Sequence, residues 1–370
     1  MKTKHHLTIR ELCPLRLGLT LLAALIILLQ RLLRGHTALM QRLSERFVRP
    51  TLQRLGVWSA IARFSVAELL IALFTVALLL YLGCWLRRLL RGGRAWPLLY
   101  RLVLTLACAA ALVYAGFCLL WGVYYYGDDF VTRCGLSAEP ISAEVLTEVT
   151  EAFAALANDY AGRVERDGSG ACATDRAAVL ARSPGLYAAA EKRFPCLSAP
   201  ALPAKAVRCS RLMSYTDFTG FFFPFTGEAN VNTDFPPSLF ASTVAHELAH
   251  QRGVAREQEA NFVAVLACLE SGDADYIYSA ALLAYTYLGN ALYSADHAAW
   301  ERISGGLSKE VRRDFEVNRA YWQQFETPVQ AVSNTVYEGF LQSYDQTLGL
   351  RSYGACVDLL VNYYEDEDLP

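Results

Sequence analysis

Acidic side chains are nearly missing from the first third of this chain. Met1 to Tyr125 carry 3 Asp and Glu against 16 Lys and Arg, whereas the rest of the 370 residues carries 33 against 18. A split this sharp excludes a single uniformly solvated domain and puts the two halves in different surroundings. Histidine is scarce as well: of 6 in the chain, only His246, His250 and His297 follow Tyr125. There is no Gly-rich phosphate loop, no internal repeat and no low-complexity tract. Those absences remove P-loop nucleotide chemistry and repeat architectures. The basic residues cluster beside apolar runs, so nucleic acid is not an expected partner.

The apolar runs fill the basic half. Val66 to Leu86, "VAELLIALFTVALLLYLGCWL", holds one charge, Glu68, and Leu102 to Tyr124 holds none. Each can cross about 30 Å of hydrocarbon at about 1.5 Å per residue. Leu17 to Leu29 is shorter, but Arg16 and Arg31 at its ends can snorkel to the interface. It could also be a signal peptide, yet no small-residue cleavage site follows it. Three spans are therefore predicted, at about 12–33, 66–86 and 102–124, in a membrane region 1–125 followed by a domain 126–370. Three spans put the termini on opposite sides. The N-terminus and the Arg87–Arg101 loop hold nine Lys and Arg, and the Arg31–Arg63 loop seven. This favours the N-terminus inside and the acidic domain outside the cytoplasm, in a multi-pass protein of the cell membrane whose first partner is the lipid bilayer. The even set Cys134, Cys172, Cys196, Cys209, Cys268 and Cys356 also suits an oxidising compartment, with pairings that sequence cannot assign.

The second domain reads as mainly α with a small sheet. Ile141 to Tyr160 has helical apolar spacing and a Ser at its start. Arg163 to Cys172 reads as a loop, and Ser183 to Pro203 holds four prolines that exclude long helices. Met213 to Asn232, aromatic and broken by Gly and Pro, predicts strands with a turn. Tyr276 to Tyr293 is apolar enough to suggest a span, but its Tyr, Gly and Asn residues favour a buried helix.

The chemistry is concentrated in "AHELAHQRG", Ala245 to Gly253. On a helix, His246 and His250 share one face and can point at one metal ion. Glu247 then lies beside the metal, where it can take a proton from a water. Catalytic zinc uses three protein ligands and keeps one position open. Gly253 can turn the chain, and Glu257 or Glu259 then offers the third ligand. Glu257 is favoured, because Asn261 on its own face can accept the second ring N–H of a ligand histidine. Zn2+ is thus the expected cofactor, and peptide-bond hydrolysis with Glu247 as general base the expected reaction, acting on a peptide or protein. The alternative is a zinc-binding envelope sensor or scaffold that binds a peptide without cutting it. A protease site within the bilayer is disfavoured by the polar flanks "TDFPPS" and "QRGVAREQE".

"HELAHQRGVAREQEANF" resembles the HExxH and glutamate helix of gluzincin-type zinc metallopeptidases. Together with "SNTVYEGFLQSYDQTLGLRSYGACVDLL", Ser333 to Leu360, it resembles the bacterial membrane-anchored family catalogued as domain of unknown function 3810. The resemblance implies a zincin-like α+β domain. The gap between His250 and Glu257 is shorter than in the best-known gluzincins. Zincins commonly bind substrate along a sheet edge, and "GEANVN", Gly227 to Asn232, is the expected edge; an ordinary strand with Glu228 and Asn230 in solvent is the alternative. Tyr353, covered by the resemblance, and His297 are the candidates for stabilising an oxyanion. "FFFPF", Phe221 to Phe225, lines a cleft, meets the bilayer or packs in the core.

Overall fold

A computed structural model describes residues 13–136, 141–344, 353–365, 367 and 369–370. The chain divides into two compact units. One runs to Pro50 and resumes over Val66–Gly127; the other joins Thr51–Ser65 to the chain from Asp128 onward.

Among the described residues, three helices in the first unit are long and apolar enough to cross a bilayer: Pro14–Leu33, Val66–Leu90 and Ala95–Leu120. The third begins earlier than its hydropathy suggested. Gly92, at φ +81°, breaks the chain after the second helix, and a new helix can start at once in "AWPLLYR". Several polar side chains within these helices are hydrogen-bonded. Arg16 Nη1 donates to Thr105 Oγ1 at 2.8 Å, and Tyr81 Oη to the same oxygen at 3.0 Å.

The second unit is mainly helical with one small sheet. The helix expected after Ile141 runs over Ala143–Ala161, where Ser142 Oγ accepts the N–H of Val145 and so caps it. It packs against Ala274–Ala295, the long tyrosine-rich helix, whose inner face is buried. Phe240–Gln251, which carries the histidines, lies between that helix, the helix Glu257–Leu269 and the sheet. From Ala260 to Leu269 all but Asn261 is buried, so the glutamate helix runs through the core.

The sheet corrects one expectation. Its order is β1 (Lys205–Val207), β3 (Glu228–Asn232), β2 (Gly220–Phe223). β3, the expected edge, is the central strand: parallel to β1, with Ala206 opposite Val231, and antiparallel to β2, with Phe222 opposite Ala229. All five of its residues are buried, Glu228 and Asn230 included. β1 is only three residues long and carries a lysine, which hid it from any hydrophobic pattern. The phenylalanines of β2 are half-buried and touch one another edge-on.

Burying Glu228 requires a counter-charge. Lys205 of β1 supplies it, in direct contact with Glu228, and also donates to the carbonyl of Ser59 at 2.6 Å. Thr226 Oγ1 donates to the other carboxylate oxygen at 2.8 Å. Elsewhere in this unit the sulfurs of Cys134 and Cys196 lie 2.7 Å apart. Lys205→Met would leave Glu228 buried without its partner and should cost about 3–5 kcal/mol. Thermal unfolding of the full chain in detergent reads that loss. The double variant Lys205→Met, Glu228→Leu should recover most of it, and a single variant as stable as the parent would contradict the argument.

Candidate metal centre

The site is assembled by the way one helix ends. Gly253 takes φ +83°, a conformation open to glycine because it lacks a Cβ. Its N–H bonds to the carbonyl of His250 at 2.9 Å, and that of Val254 to Ala249 at 3.2 Å, the paired bonds of a Schellman ending. The chain therefore doubles back. The carbonyl of Val254 reaches His250, and Glu257 opens the next helix facing the histidines. Arg252 locks the turn from behind. It is 2 % exposed, bonds to Glu191 at 3.0 Å and stacks 4.0 Å from the ring of Tyr187, which itself donates to Ala245.

Three ligand-type atoms converge as a result. His246 Nε2 and His250 Nε2 are 3.0 Å apart, and Glu257 Oε2 lies 3.2 Å from the first and 3.7 Å from the second. Ligands about 2.0–2.1 Å from a tetrahedral zinc stand roughly 3.3 Å from one another, so the triangle has the right size. Its protonation pattern fits too. A backbone carbonyl can only accept, so Nδ1–H of His250 donates to Val254 at 2.7 Å. Asn261 Oδ1 meets His246 Nδ1 at 2.8 Å, the second contact expected from sequence. Both Nε2 atoms then turn lone pairs toward the carboxylate, an arrangement that needs a cation at its centre, whether proton or metal.

The electrostatics agree. Burial alone would lower the pKa of His250, but Glu257, Glu247 and the Val254 carbonyl outweigh it and raise it to about 9. Burial opposes ionisation of Glu257, yet the two histidines hold its carboxyl well below the usual carboxylate range. Glu247 is 4 % exposed, and its Oε2 has no hydrogen-bond partner. Burial pushes its pKa to about 7 despite the lowering effect of His246 and His250. A buried carboxylate oxygen left without a donor is costly. Beside this triangle, it is placed to receive a proton.

The structure separates the two candidate glutamates. Glu257 joins the histidines, and among the described residues this is the group able to hold a metal ion. Glu259 lies apart from this group. Two residues on, it points to the far side of the helix and accepts the N–H groups of Phe130 at 3.1 Å and Val131 at 3.4 Å. His297 stands exposed at the start of a surface helix, with Glu301, Tyr293 and Trp300 around it. Those contacts are local and give no support to an oxyanion role. The side chain of Tyr353 lies outside the described residues.

Two participants carry no signal in the sequence that marks their role. Tyr337, on the helix Pro328–Ser343, donates to Glu257 Oε1 at 2.8 Å and leaves Oε2 toward the histidines. Twenty tyrosines gave no reason to choose it. Gly220 lies against Glu247, where a Cβ would come within 2.6 Å of Glu247 Cγ. A glycine inside an aromatic strand signals close approach, but not what approaches.

Residues 44–361 match the profile of the family described as "Protein of unknown function (DUF3810)", and the chain belongs to that family. No curated protein and no solved structure matches it. Asn261→Ala and Tyr337→Phe should each weaken a divalent metal held by the triangle by about 10- to 100-fold, because each removes a group that orients a ligand. Chelator competition measures this, and unchanged affinity in both would refute the orienting roles.

Proposed function

We propose that this chain is a membrane-anchored, zinc-dependent metallopeptidase that hydrolyses peptide bonds outside the cytoplasm. The observation that carries the reading is Glu247: a buried carboxyl with an orphaned oxygen and a pKa of about 7, beside three converging ligand atoms. A site that only bound metal would not need such a group, and leaving it unsatisfied costs about 1–3 kcal/mol. This weighs against the sensor or scaffold alternative.

In this reading His246, His250 and Glu257 hold the ion. A zinc ion held there would supply a Lewis acid for the scissile carbonyl and would lower the pKa of a bound water to near neutrality. Glu247 takes the proton from the attacking water and passes it to the departing amine nitrogen, a transfer suited to a buried carboxyl beside the ion with one oxygen free of donors. Tyr337 and Asn261 fix the ligand geometry. β2, at the sheet edge and against Glu247, offers the strand along which an extended peptide can lie. A helix–turn–helix ligand set flanked by a sheet supports a zincin-like fold of the gluzincin type, with an unusually short connection between histidines and glutamate.

Glu247→Gln should retain one zinc per chain and lose turnover, whereas His250→Ala should lose both. Metal content of the purified full chain, with cleavage of a peptide library, reads the two effects. Normal turnover by Glu247→Gln would end the mechanism. The proposed sidedness has its own test. Outside the cytoplasm, Cys134 and Cys196 should be oxidised by exchange with a disulfide of that compartment, which becomes two thiols. Mass spectrometry of unreduced, alkylated protein should then find the two peptides linked. Both thiols alkylated in protein taken from intact cells would place the domain in the cytoplasm.

A further inference from the structure

The segment Thr51–Ser65 belongs to the second unit although it lies between two membrane-spanning candidates in sequence. One side of it is fastened to the sheet. Leu52 is buried, and Gly56 faces Leu202 and the carbonyl of Gly227 so closely that a Cβ would come within 2.7 Å and 3.0 Å of them. Gly227, at φ +66°, answers with its own missing side chain, since a Cβ there would meet Gly56 N at 2.7 Å. Ser65 Oγ donates to Asn230 Oδ1 at 2.6 Å, and the carbonyl of Ser59 accepts from Lys205. Two glycines in backbone contact and two hydrogen bonds to buried groups hold this segment in a fixed place.

The other side is apolar and uncovered. Trp58 is 74 % exposed and Ile61 85 %, with Val57 and Phe64 also exposed. Four large apolar side chains within eight residues are far more than solvent-facing helix ends and turns carry. Between Thr51 and Ser65 there is no acidic residue, and both charges, Arg54 and Arg63, are cationic and exposed. Tryptophan beside aliphatic side chains and arginine is the composition of a segment lying at the boundary between headgroups and acyl chains. The chain also enters the helix Val66–Leu90 at the very next residue, so the patch ends where a bilayer-crossing stretch begins.

We propose that Val57, Trp58, Ile61 and Phe64 form a lipid-docking surface that seats this segment in the interfacial layer of an anionic bilayer. The segment lies one contact away from the metal centre, because the carbonyl of Gly227 that packs on Gly56 also accepts from Gln251, the residue after His250, at 2.9 Å. On the peptidase reading, and resting on it, the site then addresses peptide segments close to the bilayer surface.

The test uses the full chain in nanodiscs of phosphatidylcholine and phosphatidylglycerol, with the photoreactive residue p-benzoylphenylalanine replacing Ile61, or Trp58 in a second sample. A control carries it at Glu316 on an exposed helix face. Illumination should give phospholipid adducts at 61 and 58 and none at 316. Adducts to a second copy of the chain, or no lipid adduct at either position, would overturn the proposal. The consequence for substrate is read separately, by cleavage of one peptide supplied free and lipid-anchored. Faster cleavage of the anchored form supports it and equal rates refute it. Cleavage of neither form counts against the peptidase reading and leaves lipid docking to be decided by the adducts alone.

Discussion

The turn at Gly253 sets the geometry of everything around it. A side chain there would oppose the left-handed backbone, and a helix that ran on past Gln251 would carry Glu257 away from the histidines. Ending at glycine, the helix hands its last carbonyls to Gly253 and Val254, and the chain returns along its own flank. The carbonyl of Val254 then fixes one imidazole and Glu257 meets both. Arg252, stacked on Tyr187 and paired with Glu191, keeps the turn from opening.

Four glutamates close to this turn show how burial gives one side chain different properties. Glu228 has a lysine and a hydroxyl, and is part of the sheet's structure. Glu259 has two backbone N–H groups, and its carboxyl rises to about 7 because burial and Asp129 outweigh them. Glu257 has two histidines and stays ionised. Glu247 has one oxygen with no donor at all. Of the four, Glu247 alone keeps a buried oxygen without a donor.

The same reasoning applies to the glycines. Gly220 allows a strand to press against Glu247, and Gly227 with Gly56 allows the segment Thr51–Ser65 to press against the sheet. The backbone approaches closely at each, and each approach links an element of the metal centre to something outside it.

The sequence alone determined what depends on short-range periodicity. Three runs of apolar residues had to be long helices, because their length and lack of charge allow little else. His246 and His250 had to share a helix face, Ser142 marked a helix start by its residue type and position, and Asn261 followed from its spacing to Glu257. Tertiary structure decided what depends on contacts distant in sequence. Spacing favours Glu257 over Glu259, but only the approach angle of the second helix brings Glu257 to the histidines. That β3 is central rather than the edge depends on β1, which is three residues long, follows a proline-rich stretch and carries no strand pattern. Tyr337 is 80 residues from the carboxylate it holds, and no local rule selects one tyrosine from 20 at that distance. Spacing along a helix is fixed by covalent geometry, whereas the meeting of two elements is fixed by how the whole core packs.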